Sequence, residues 1–335
     1  MAIKTTNILV TGSAGYLGAP LCFNLLELGH KVVGIDNYIN SDDQNTIKLK
    51  EHFKEEFSFY NLDLSKNISK LNETFSFHKP RVVIHFAALK SVKNSEIYPD
   101  LYWKNNVQST KNVLGAMKKY NCKKVIYSSS AAVYGNQDVQ PIKETANLRP
   151  MSVYAETKKA CEKIVKDSYQ KYGIDGISLR YFNPIGVHQS GLFKDILKDG
   201  NGSLMNEIVK TALDKNKTLK IYGKSYKTND GTCERDYIHI IDLLDAHEKS
   251  INYIDKFNGY KVFNVGTGMA ISVIDLVKAF SKYNNINLNY KFSKKRNGDV
   301  ELSYADIKKI NIELNWKSQK TIKDMVKDSW KAYSK

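Results

Sequence analysis

A chain of 335 residues with 42% hydrophobic content can bury a large core, and its composition excludes disorder as the main state. No run of about 18 apolar residues occurs, so no membrane-spanning helix is expected. The net charge of +16, from 51 basic and 35 acidic side chains, comes from dispersed lysines rather than a dense basic block. That pattern predicts a solvated surface able to steer an anionic ligand, and no nucleic-acid partner.

Residues Met1–Val10 carry one lysine, Lys4, and then a short apolar stretch that runs straight into a glycine motif. A signal peptide needs a longer apolar region and a small-residue cleavage site, so this stretch is expected to be the first strand of a cytoplasmic protein. Strands are predicted at Asn7–Val10, Lys31–Ile35, Phe57–Asn61, Arg81–Phe86, Lys124–Ser128 and Gly176–Arg180, all rich in Val, Ile, Phe or Tyr. Helix-length segments lie between them at Tyr16–Leu28, Thr46–Glu56, Ile68–Phe77, Tyr98–Tyr120 and Val153–Tyr172. Alternation of helices with near-continuous apolar strands implies a parallel sheet covered on both faces. Right-handed crossovers then give an α/β, doubly wound (Rossmann) sheet.

After Asn183 the pattern loosens. Gly186–Gly202 reads as a polar loop, followed by a helix near Leu204–Asp214 and a strand at Lys220–Tyr222. A helix at His239–Tyr253, a strand at Lys261–Val265 and a helix at Val273–Lys282 follow. The expected division is a dinucleotide-binding domain over 1–183, with 237–267 returning to it. A smaller C-terminal substrate domain is expected over 184–236 and 268–335. The cysteines Cys22, Cys122, Cys161 and Cys233 are too scattered for a disulfide framework or a zinc ribbon, and His85, His188 and His239 form no ligand-spaced cluster. No metal is expected.

Thr11–Gly18 follows the first strand and opens the first helix, with glycines at Gly12, Gly15 and Gly18. This spacing permits a tight turn and close approach of backbone to a pyrophosphate, while the helix N-terminus presents oriented N–H groups. Asp36 ends the next strand, where it can accept from an adenosine ribose and repel a 2′-phosphate. No Arg or Lys occurs over Asn37–Ser41 to hold such a phosphate, so NAD is favoured over NADP.

Tyr154-x-x-x-Lys158 places a phenol and an ammonium one turn apart on a helix. The same spacing also starts at Tyr120, Tyr290 and Tyr304. Only Tyr154 follows a sheet strand bearing a serine cluster, Ser128-Ser129-Ser130, and opens a long helix. A phenol with pKa ~10 is a poor base at neutral pH, and lowering it by ~3 takes about 4 kcal/mol. A lysine charge ~4 Å away at an effective dielectric of ~20 supplies roughly that much before desolvation.

Together Gly12-x-x-Gly15-x-x-Gly18, Ser130 and Tyr154-x-x-x-Lys158 resemble the extended short-chain dehydrogenase/reductase family. Within it, the segments His85–Val92, Asn105–Val107, Ser128–Gly135, Arg180–Gly186, Asp230–His239 and Arg296–Asp299 resemble the UDP-glucose 4-epimerases, over the chain to about Trp330. The resemblance implies a cofactor site of Gly12, Gly15, Tyr16, Leu17, Gly18, Asp36 and Asn37, with Asp63 and Leu64 flanking adenine. It adds Phe86, Ala87, Ala88, Lys90, Asn105, Ser128, Tyr154, Lys158 and Tyr181. On the substrate side it implies Lys90, Ser130, Asn183, Ser203 and Leu204, with Tyr222 stacking on uracil. Arg235 and Arg296 would hold the diphosphate and Asp299 the ribose, while Ser303 lies where the family sets pocket size.

The implied reaction is inversion at carbon 4 of UDP-glucose or UDP-galactose, with Tyr154 as base, Ser130 in the proton path and Lys158 supporting the phenolate. It also implies a homodimer through the helices near Tyr98–Tyr120 and Val153–Tyr172. Departures lie in Ser190–Asn206, where Ser203 and Asn206 replace the usual asparagine and proline. Ala131 and Ala132 stand where a 4,6-dehydratase needs carboxyl groups, which disfavours dehydration. An epimerase of N-acetylated UDP-hexoses is the runner-up: the small Ser303 favours it, whereas Lys90 leans toward plain hexoses. A non-catalytic NAD-binding regulator would have lost Tyr154 or Lys158.

Overall fold

The structure is a computed structural model that describes residues 5–193, 203–296 and 299–334. Most of the expected loop between Phe193 and Ser203, and positions 297 and 298 within the Arg296–Asp299 motif, lie outside the described residues. The strands are β1 Asn7–Thr11, β2 Lys31–Asp36, β3 Phe57–Asn61, β4 Val82–His85, β5 Lys124–Ser130, β6 Asp175–Tyr181 and β7 Asn183–Ile185. They continue as β8 Leu219–Tyr222, β9 Glu234–Arg235, β10 Tyr237–His239, β11 Tyr260–Val265, β12 Ile271–Ser272, β13 Tyr290–Ser293 and β14 Leu302–Ser303.

Contacts divide the chain into two compact units. The first comprises the residues up to Val133, with Ser152–Arg180 and His247–Phe263; the second comprises Tyr134–Met151, Tyr181–Ala246 and the chain from Asn264 on. The first is built on a seven-stranded sheet of order β11-β6-β5-β4-β1-β2-β3. The pairs β1–β2, β1–β4, β2–β3 and β4–β5 run parallel, and the order reverses beside β1 as a doubly wound sheet requires. Val82, Val83, Ile84 and His85 are all buried, because helices cover both faces. Leu9, Val33, Phe75, Val83, Leu114 and Val125 anchor one cluster of this core.

The second unit packs helices Leu204–Leu213, Val273–Asn284 and Ile322–Tyr333 with the parallel pair β8–β13, around Met205, Ile208, Ile221, Leu276, Phe280 and Val326. Helix Ile322–Tyr333 opens on a capping box, in which Thr321 and Asp324 satisfy each other's orphan N–H groups.

These units depart from the expected division. Residues 134–151 group with the second unit because the Tyr134 hydroxyl donates to Asn264 Oδ1 at 2.5 Å. The Ile142 amide also donates to the Tyr304 carbonyl at 2.9 Å, and the Asp306 amide to the Ile142 carbonyl at 2.8 Å. Residues 181–183 and 237–246 join it through β7–β10, where Tyr237 pairs with Asn183. The Thr267 amide is tied to Asp236 at 2.7 Å, which carries 264–267 along. The expected single helix Tyr98–Tyr120 is also broken. Pro99 starts a new turn at Pro99–Tyr102, a π-helical stretch follows at Trp103–Gln108, and α-helix resumes at Ser109–Lys119.

Candidate active site

The glycine turn is held by strands on either side. The Gly12 amide donates to the Ile35 carbonyl at 2.7 Å, and the Gly15 amide to the Gly12 carbonyl at 3.2 Å. Gly12 has φ +71°, and a Cβ there would lie 2.9 Å from the Ala87 amide nitrogen. A Cβ on Gly18 would meet the Gly12 carbonyl oxygen at 2.0 Å and Ser13 Cα at 2.9 Å. These neighbours are backbone and cannot move aside cheaply. Helix Gly18–Glu27 has no acidic residue in its first turn, so its N-terminal partial charge is left for an anion. The close backbone packing at these two glycines fixes a turn whose N–H-rich helix start fits a dinucleotide's pyrophosphate.

Gly18→Ala is therefore expected to weaken NADH binding roughly tenfold to a hundredfold, because overpacking costs about 1–3 kcal/mol. Gly115→Ala, where nothing lies within 4 Å, serves as the control. Equal NADH titration curves for the two variants would contradict the close approach.

Asp36 contributes to the turn before any ligand arrives. Its carboxylate accepts from the amides of Ala14 at 3.0 Å and Tyr38 at 2.9 Å, and from the Ser41 hydroxyl at 3.2 Å. Burial nevertheless pushes its pKa up. Asn37 accepts from the Ile39 amide at 3.1 Å. Tyr16 and Leu17 are half-buried beside the turn, and Lys90 is exposed with Nζ 5.6 Å from the centre of the Tyr16 ring. The Asp63 carboxylate accepts from the Ser65 amide and hydroxyl at 2.9 and 2.6 Å, while the Leu64 side chain belongs to the core. Phe86, Ala87 and Ala88 are half-buried; the Phe86 amide donates to the Thr11 carbonyl at 3.2 Å and the Ala87 amide to Thr11 Oγ1 at 3.2 Å.

Beneath this segment, His85 bridges Thr11 Oγ1 at 2.7 Å and Thr110 Oγ1 at 3.0 Å. Burial lowers its pKa to about 3, so the imidazole is neutral and braces the fold. Half-buried Asn105 lies in the π-helical stretch, and its neighbour Asn106, 1% exposed, does the fastening. Asn106 Oδ1 accepts from the Leu89 amide at 2.8 Å, and Nδ2 donates to the Leu89 carbonyl and to Thr157 Oγ1, each at 3.1 Å. Thr157 lies between Tyr154 and Lys158 on their helix, so one amide ties the 86–90 segment to that helix.

Tyr154 and Lys158 sit on helix Val153–Tyr172, which Ser152 caps by accepting from the Ala155 amide. The strand β5 ends at Ser130, whose hydroxyl lowers the pKa of the Tyr154 phenol. Lys158 is 3% exposed and donates to the Ser128 carbonyl at 2.6 Å, with Nζ 6.0 Å from the centre of the Tyr154 ring. The ammonium is strong enough to make the phenol acidic only before desolvation, and burial opposes it. Desolvation pushes Tyr154 up to about 12, against the lowering by Ser130, and brings Lys158 down to about 8. Both shifts oppose the phenolate–ammonium combination, and a further positive charge beside the phenol would favour it.

Sequence reasoning also passed over Glu162, one turn beyond Lys158. Its carboxylate accepts from Arg180 Nε at 2.8 Å and Nη2 at 2.6 Å, and from Ser129 Oγ at 2.5 Å. Its spacing of four from Lys158 was the available signal, and its charge raises the Lys158 pKa.

In the second unit, β14 pairs with β9 so that Ser303 lies opposite Arg235. Arg235 donates to the Glu234 carbonyl at 3.0 Å. The Asn183 amide donates to the Asp236 carbonyl at 2.9 Å, and Tyr181 is buried. Arg296 is stacked on Tyr222, its guanidinium carbon 3.7 Å from the ring centre, and the Asp299 amide donates to the Arg296 carbonyl at 3.4 Å. These residues form two groups, Asn183–Arg235–Ser303 and Tyr222–Arg296–Asp299. Ser203 instead caps helix Leu204–Leu213, its hydroxyl accepting from the Asn206 amide at 3.4 Å, and Leu204 begins that helix half-buried.

Among the described residues no helix is long and apolar enough to cross a membrane. The family model described as GDP-mannose 4,6 dehydratase matches residues 9–329. The chain is 38% identical to the UDP-glucose 4-epimerase of Bacillus subtilis over 328 residues, covering 97% of this chain and 96% of that one. The Bifidobacterium longum UDP-glucose 4-epimerase, solved with NAD+ and UDP, superposes with a TM-score of 0.93 at 36% identity, covering 98% of each chain. A UDP-Glc/GlcNAc 4-epimerase from Campylobacter jejuni superposes with a TM-score of 0.84 at 28% identity, covering 98% of each chain. The chain belongs to the extended short-chain dehydrogenase/reductase family, in the group that the GDP-mannose 4,6 dehydratase model describes.

Proposed function

We propose that the chain is an NAD-dependent epimerase that interconverts UDP-glucose and UDP-galactose at carbon 4. The observation that carries this reading is the Tyr154 phenol under the influence of Ser130, with the ammonium of the buried Lys158 6.0 Å from its ring centre. Residues of the first unit, from the glycine turn through Asp36, Asp63, the 86–90 segment and Asn105, hold NAD. Those of the second, Asn183, Leu204, Tyr222, Arg235, Arg296 and Asp299, hold the nucleotide.

NAD held by those first-unit residues would supply hydride-acceptor and hydride-donor chemistry at carbon 4 and a positive charge that favours the Tyr154 phenolate. Tyr154 accepts the carbon 4 hydroxyl proton as phenolate, with Ser130 in its path, and later returns it to the opposite epimer. Lys158 stabilises the phenolate, and its bond to the Ser128 carbonyl keeps the ammonium in place. The two guanidinium groups anchor the diphosphate while the ketosugar turns over. Ala131 and Ala132 can donate no proton to expel a hydroxyl, so the reaction stops at inversion.

Ser303 supports activity on N-acetylated UDP-hexoses as a second reading, since it is small and half-buried opposite Arg235. Purified protein incubated with UDP-galactose and with UDP-N-acetylgalactosamine tests both. Interconversion of the first pair without added cofactor supports the primary reading; net NADH release contradicts it. No turnover of the second pair removes the N-acetyl reading. A cytoplasmic homodimer through the helical segments near 98–120 and 153–172 belongs to the same proposal, supported by the resemblance to the UDP-glucose 4-epimerases. A monomer mass by light scattering would refute that assembly.

A further inference from the structure

Asp236 is fully buried between Arg235 and Tyr237 and belongs to neither group of candidate ligand contacts. Its Oδ1 accepts from the Thr267 amide and from Thr267 Oγ1, both at 2.7 Å. Its Oδ2 accepts from the amides of Gly268 at 2.9 Å and Ala305 at 3.1 Å. Four donors therefore fill the four acceptor positions of one carboxylate. The approach is so close that a Cβ on Gly266 would lie 2.4 Å from Oδ2. The main chain of the same residue adds two more ties: its amide donates to the Ser303 carbonyl at 3.0 Å, and its carbonyl accepts from the Asn183 amide at 2.9 Å. Arg235 precedes it directly. Three residues far apart in sequence, Asn183, Arg235 and Ser303, thus meet at the main chain of one residue, whose buried carboxylate fixes that main chain against Thr267, Gly268 and Ala305.

We propose that Asp236 is a positioning residue of the nucleotide-sugar site: it sets the mutual placement of Asn183, Arg235 and Ser303 without touching substrate. The inference rests on the functional reading above, which gives those three residues their ligand. A carboxylate suits the task because it accepts on both oxygens and has no hydrogen to turn toward an N–H. Asparagine keeps the shape but aims an NH₂ at donors on one side, whichever way the amide faces. With the NH₂ toward Gly268 and Ala305, both amides lose their acceptor and the 303–305 segment shifts against Arg235; with it toward Thr267, the Thr267 amide is orphaned and the 264–267 segment moves against Asp236. Displacements on the order of 1 Å at a binding constellation cost up to ~10²-fold.

The experiment measures UDP affinity by calorimetry and NADH affinity by fluorescence for wild type, Asp236→Asn and Thr267→Val. Thr267→Val removes a single donor to Oδ1 and keeps the backbone bonds. Expected are a rise of about tenfold or more in the UDP Kd for Asp236→Asn, a rise of roughly threefold for Thr267→Val, and NADH Kd values within twofold of wild type. A merely stabilising residue lowers the melting temperature and the competent fraction, leaving the UDP Kd of the folded fraction unchanged. Unchanged UDP affinity in both variants overturns the proposal. Should Asp236→Asn not fold, Thr267→Val decides alone: a weaker UDP Kd supports positioning, an unchanged one overturns it. Wild-type protein that binds no UDP removes the functional reading itself, and the inference with it.

Discussion

Tyr154→Phe is expected to lower kcat by about 10²–10⁴-fold, the range a positioned general base contributes, while NADH and UDP affinities stay close to wild type. The substitution deletes one oxygen and keeps the ring on a helix whose N-cap at Ser152 and brace at Thr157 are untouched. The Tyr154 phenol is the group whose pKa Ser130 lowers, and Ser130 alone cannot replace it, because a neutral hydroxyl is a far weaker proton acceptor. Separate measurement of kcat and Kd matters. A variant that loses turnover with binding intact has lost chemistry, whereas parallel loss of both points to a disturbed pocket. Full turnover by Tyr154→Phe would falsify the assigned base.

The parts of this site that follow strict local rules were legible in the sequence. The glycine turn can be read because strand, turn and helix must succeed one another there, and Asp36 because it ends the next strand. Tyr154 was separable from Tyr120, Tyr290 and Tyr304 only by its order after the serine-bearing strand. What escaped was set by tertiary contact. Asn105 and Asn106 are adjacent and alike on paper, and only the π-helical stretch turns Asn106 toward Leu89 and Thr157. The two-residue strands β9, β12 and β14 are too short to carry a period. The sequence predicts no strand or helix over 134–151, and its allegiance depends on Tyr134 and Ile142 finding partners more than a hundred positions away. The size of the desolvation at Tyr154 was hidden for the same reason: charge spacing is visible along a helix, and burial is not.

Arg180→Met is expected to destabilise the protein by about 3–5 kcal/mol, the cost of leaving one member of a buried ion pair without its partner. Arg180 and Glu162 are each 5% exposed, and the guanidinium meets both carboxylate oxygens in a fork that fixes helix Val153–Tyr172 against β6. After the change only Ser129 Oγ remains as a donor among the bonds described above, too little to offset a buried charge. The double variant Arg180→Met with Glu162→Gln removes both charges and is expected to recover a substantial part of the loss, since the deficit lies in the orphaned carboxylate. Denaturant midpoints of the two single variants and the double variant measure this coupling; strictly additive effects would show that the pair does not act as a unit. The double variant has a catalytic signature as well. The Glu162 charge raises the Lys158 pKa against the lowering by burial. Without that charge, Lys158 loses its proton at a pH below about 8, because a depressed ammonium pKa is depressed further. The protonated form is the one that supports the phenolate, so the alkaline fall in kcat moves to lower pH. A profile superimposable on wild type would separate the structural role of this ion pair from any influence on the reaction.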